Sequence, residues 1–71
     1  MLDRAPVLRD DLERWRLSRR QARLTVVLAA LDDRLAELRR HGRRPPEPLL
    51  AARRGFREEL AAVRARLDAV P

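Results

Sequence analysis

Ser18, Thr25 and His41 are the residues, apart from carboxylates, whose chemistry could supply a nucleophile and a base. Acyl transfer would need the hydroxyl and the imidazole within hydrogen-bond reach of each other. Ser18 and His41 are separated by 23 residues with no proline or glycine between them, so a helix holds them far apart. The acids Asp10, Asp11, Glu13, Asp32, Asp33, Glu37, Glu58, Glu59 and Asp68 alternate with arginines at helical spacings. That pattern reads as a solvated helix face with weak i,i+4 pairing, such as Asp10 with Arg14, and not as a pair of catalytic carboxylates. GRRPPEP, residues 42–48, lacks the glycines and lysine of a phosphate loop. The chain is therefore expected not to be an enzyme. It has no cysteine and one histidine, so neither a thiolate nor a histidine-built metal site is expected, and no cofactor is implied.

Charge is the next feature with chemical meaning. The net charge is +6, and all 17 basic residues are arginine, which is consistent with a coding bias toward GC-rich codons. Arg19, Arg20 and Arg23 form one cluster, and Arg39, Arg40, Arg43, Arg44, Arg53 and Arg54 gather around residues 42–48. Arg39, Arg40, Arg43 and Arg44 could grip phosphates, making a nucleic-acid-binding hairpin one alternative reading. No aromatic residue is interleaved with them to stack on bases, and two long antiparallel helices make no helix-turn-helix, which places this reading below protein docking.

The elements that carry these residues follow from period and punctuation. The composition, rich in Arg, Leu and Ala with two glycines and no Tyr, belongs to a helical hairpin or coiled coil. A first helix is expected over about residues 6–41, beginning near Pro6 with Asp3 favouring its positive end. Gly42 is placed to end it in the left-handed conformation. Pro45, Pro46 and Pro48 make a turn over about 42–46, and a second helix is expected over about 47–70 with Glu47 in its first turn. The fold class is thus all-α, one domain spanning residues 1–71, a two-helix antiparallel hairpin of coiled-coil type with a longer first helix.

Leu49, Phe56, Leu60, Val63, Leu67 and Val70 form a heptad-like seam on the second helix, answered by Leu17, Leu24, Leu28, Leu31, Leu35 and Leu38 on the first. Folding at the turn pairs Leu38 with Leu49, Leu31 with Phe56, Leu28 with Leu60, Leu24 with Val63 and Leu17 with Val70. The first helix then overhangs the second by about three turns. On the overhang Leu8, Leu12 and Trp15 fall at i, i+4 and i+7, and the same stripe continues through Ala22, Val26 and Ala29 or Ala30 on the back of the seam. One reading of Leu8, Leu12 and Trp15 is that the N-terminus folds back as a short third helix over Val26. The preferred reading is an apolar strip made of Leu8, Leu12, Trp15, Ala22 and Val26, offered to another chain with Trp15 as its anchor. Its occupant is either a helical partner protein or a second copy, the latter giving a homodimeric four-helix bundle. Gly55, mid-helix beside Phe56, either admits another helix closely or is neutral on an exposed face.

Val26 to Leu31 is the longest apolar run, far below the roughly 20 residues that span a bilayer. MLDRAPVLRDDLERW carries acids and no apolar core, unlike a secretory signal, so a cytoplasmic protein without a membrane partner is expected.

RLAELRRHG, the proline turn PPEP and LLAARRGFREELAAVRARL resemble the small co-chaperones of type III secretion needle subunits, the E components of the needle chaperone pair. The resemblance runs from about Leu17 to Val70, and the N-terminal RDDLERWR and the triple proline depart from that family's pattern. It implies a hairpin that pairs with a larger chaperone of tetratricopeptide-like helical repeats. That pair would hold the needle subunit monomeric before export.

Overall fold

The computed structural model describes the backbone of residues 4–70 and the side chains of residues 9–70. The readings of Asp3 as a helper of the first helix and of the Leu8 side chain as part of the strip lie outside the described residues. Two helices, α1 (Arg4–Arg40) and α2 (Glu47–Ala69), pack against each other as an antiparallel hairpin, and the described residues contain no strand. The body is a rod of 62 × 15 × 14 Å with a radius of gyration of 17.2 Å, against about 11 Å for a compact domain of this length. Such a rod has no interior beyond the single seam between its helices.

Local chemistry explains each helix end. Pro6 sits within the first turn of α1, where its missing N–H would have had no partner. Arg39 and Arg40 occupy the last turn and complement the negative end of the dipole. Gly42 takes φ +65°. The Arg43 amide donates to the Leu38 carbonyl at 2.9 Å and the Gly42 amide to Arg39 at 3.0 Å, the paired bonds of a Schellman closure. Pro46 caps α2 in extended conformation, its carbonyl accepting from Leu49 at 3.1 Å and Leu50 at 3.3 Å. No side chain caps this end; Glu47 supplies an acid to the dipole, and Pro48 has no amide that needs a partner.

The seam holds Leu17, Leu24, Leu28, Leu60 and Val63 buried in one cluster, with Phe56, Leu67 and Val70 half-buried against it. Leu35 and Leu38 are buried nearer the turn, where Leu31 and Leu49 are half-buried. The level of the two helices differs from the expected pairing. Leu24 shares a cleft with Phe56 and Glu59, and Leu17 one with Ala62, Val63 and Arg66, so α2 lies about one turn closer to the start of α1 than a Leu24–Val63 pairing places it. The turn accounts for this. Its Schellman bonds fold the chain back onto Leu38, and residues 43–46 are not helical, so α2 begins beside residues already inside α1. A heptad seam tolerates the shift because one turn carries each leucine to the next seam position.

Ion pairs between the helices match this level. Arg20 pairs with Glu59, Arg66 Nη2 lies 2.8 Å from Glu13 Oε1, and Arg53 Nε lies 2.8 Å from Asp32 Oδ1. Arg14 Nη2 donates to the Val70 carbonyl at 3.4 Å. Glu13 and Arg14, expected to stand clear of the second helix, thus meet its end.

Candidate partner-docking site

α1 continues unbroken through residues 9–22, so the N-terminal segment does not fold back and Val26 stays uncovered. With no proline or glycine between Pro6 and Gly42, nothing in the backbone makes a bend. Leu12 is 46% exposed, Trp15 55% and Val26 69%; among the described residues these are the large apolar side chains left in water. Leu17, Leu24 and Leu28, on the opposite side of the same helix, are each below 10%. Ala22, Ala29 and Ala30 are exposed as well, so from Leu12 to Ala30 a strip of about 27 Å runs down the back of α1.

The strip has two unlike halves. Toward the N-terminus it is bulky and edged with arginine: the Arg19 guanidinium lies over the Trp15 ring at 5.0 Å from its centre, one helical turn on. Leu12 opens into a cleft of about 410 Å³ with Arg9, Glu13, Arg16 and Arg66 among its walls. Toward the turn the strip is small, with alanines around Val26, which lets another helix approach closely. The expected pairing of the helices hid the Leu12 cleft because it placed the end of α2 too far from Glu13. The Trp15–Arg19 stack was open to sequence reasoning through the i,i+4 spacing alone.

The remaining chemically capable residues are scattered. Ser18 is exposed, the Thr25 hydroxyl donates to the Gln21 carbonyl at 2.8 Å, and His41 is exposed at the turn. Among the described residues no three acids or histidines converge on a point that would hold a metal ion. Gly55 faces open space, with nothing within 4 Å of the place a Cβ would take, so no part of this chain approaches it closely. No described helix is long and apolar enough to cross a membrane. Arg39, Arg40, Arg43 and Arg44 are all exposed at the turn and take part in none of the ion pairs among the described residues. Trp15 stands near the far end of the rod from them, so the tip is basic without an aromatic platform. No known protein family, curated protein or solved structure matches this chain.

Proposed function

We propose that this chain is a non-enzymatic adaptor or co-chaperone that docks the back of α1 on a helix of another protein, in the manner of the needle-subunit co-chaperones it resembles. The observation that carries the reading is the exposure of Leu12, Trp15 and Val26 on one helix whose opposite face is already committed to α2. A helix needs one apolar stripe to hold a hairpin, and a second stripe has no use within the hairpin itself.

Stability points the same way. No described side chain is completely buried, so the hairpin alone has a thin core. A domain of this size with no cysteine to form a disulfide commonly draws stability from association. Leu12, Trp15 and Val26 are 46–69% exposed, so covering what remains of them against a partner would contribute about 1–2 kcal/mol for each. Under the family resemblance the partner is a chaperone of tetratricopeptide-like repeats, whose concave helical surfaces accept a helix face.

The test is the native mass and helicity of the isolated chain, followed by Trp15→Asp. Loss of association in a variant that keeps its helicity is the expected result. Association that persists in Trp15→Asp would remove the strip from the reading. A stable symmetric dimer of the wild-type chain would assign the strip to a four-helix bundle of two copies.

A further inference from the structure

Arg9, Arg16 and Arg23 follow one another at intervals of seven along α1. All three are exposed, and the ion pairs of the described residues use Arg20, Arg34, Arg53, Arg54 and Arg66 instead. A seven-residue interval drifts by only about 20° around a helix, so the three guanidinium groups form one row, each about 10 Å from the next. Arg9 and Arg16 bracket Leu12 at i−3 and i+4 and line its cleft, and Arg23 precedes Val26 by three. The row therefore runs along one edge of the apolar strip, the position from which charged residues of a coiled coil choose their partner.

Resting on the docking reading above, we infer that the strip is occupied by an amphipathic helix of a different chain that carries acidic residues at seven-residue spacing along one edge. Charge complementarity selects it. Among the described residues, the acids nearest the row, Glu13 and Glu59, are already paired with Arg66 and Arg20, so an opposing acidic row supplies partners that the hairpin does not and sets register and direction. A second copy of this chain does not supply such a row. Asp3 and Asp10 are its only two acids seven residues apart, and no three acids recur at that interval. An antiparallel copy would bring arginine row against arginine row, and a parallel copy would set the row against the strip's other edge, Asp11, Ser18 and Thr25, which holds a single acid. The small half of the strip adds a steric condition: Ala22, Ala29 and Ala30 leave room for bulky apolar residues from the partner.

The probe is a synthetic helical peptide of about four heptads, monomeric on its own, with leucine in its apolar stripe and glutamate at one edge position of each heptad. The control carries lysine at those positions. Trp15 is the single tryptophan, so its emission reports burial of the strip directly. The glutamate peptide should shift that emission to the blue and bind at least about tenfold more tightly than the lysine peptide, the sum of three exposed pairs. Added salt should narrow the gap. Changing Arg9→Glu, Arg16→Glu and Arg23→Glu together should reverse the preference, and the Arg→Gln triple variant should abolish it with helicity retained.

Equal binding of both peptides, lost in Trp15→Asp, would overturn the acidic-edge inference and leave the docking reading standing. A chain that by itself forms a dimer with Trp15 shielded would overturn the inference in favour of a second copy. Absence of any Trp15 shift with either peptide would overturn both.

Discussion

Arg53 Nε stands 2.8 Å from Asp32 Oδ1, joining the two helices close to the turn. Nε is shut off from water and lacks an aligned hydrogen-bond acceptor, so the Asp32 carboxylate supplies charge there and not a directed bond. The guanidinium side chain is 33% exposed and the carboxylate 53%, which limits the strength of the pair. Asp32→Ala leaves the shielded nitrogen without its counter-charge and should cost about 1 kcal/mol in urea unfolding followed by circular dichroism. Glu37→Ala, which removes a more exposed pair with Arg34 at 3.6 Å, should change stability by less than about 0.5 kcal/mol.

The two glycines should respond with opposite sign. Gly55 lies within α2 and faces open space, so Gly55→Ala should stabilise the hairpin by about 1 kcal/mol through helix propensity. Gly42 holds φ +65° in the Schellman closure, so Gly42→Ala should destabilise by about 1 kcal/mol despite equal space around it. Thermal melts of the two single variants check both signs. A loss of partner binding in Gly55→Ala, with the hairpin stabilised, would mark α2 as a second contact surface.

Seam and strip should separate in a mutation series on one helix. Leu24→Ala and Leu60→Ala empty the seam and should cost about 2–5 kcal/mol, enough to unfold a hairpin with so thin a core. Val26→Ala alters a side chain 69% exposed and should leave the melting curve of the isolated chain within about 0.5 kcal/mol of wild type. The same Val26→Ala variant should weaken partner binding, so stability and association move independently.

The arginine tip makes a separate expectation about nucleic acid. Arg39, Arg40, Arg43 and Arg44 are exposed and have no aromatic neighbour, so any duplex binding should be insensitive to sequence and fall steeply with salt. Arg43→Ala with Arg44→Ala should reduce the slope of log K against log salt by about 1.8, two phosphate contacts' worth. An unchanged slope would take the tip out of that binding.

Both helices and their turn were legible in the residues because the signals are local. A 3.6-residue apolar period, Gly42 and three prolines act within a few positions of themselves, and every residue assigned to the seam is buried or half-buried. The exposure of Leu12, Trp15, Ala22 and Val26 was legible for the same reason, as leftover apolar positions on a helix whose other face was already used. The strip's arginine edge was less so, since only the folded hairpin shows that, among the described residues, Arg20, Arg53 and Arg66 pair with acids across it while Arg9, Arg16 and Arg23 do not.

Period and backbone punctuation alone dictate the pair of helices, their antiparallel order and which leucines face inward. They do not dictate the level at which α2 lies on α1, because a repeating leucine seam buries nearly the same surface in neighbouring registers. The turn geometry and the cross-helix pairs of Arg20 with Glu59 and Arg66 with Glu13 choose among those registers, and both exist only in the folded hairpin. The straight course of α1 past Trp15 belongs to the same level of structure. Burial of Leu12 and Trp15 by a fold-back competes with an unbroken helix, and periodicity reads the same for both until the chain is folded.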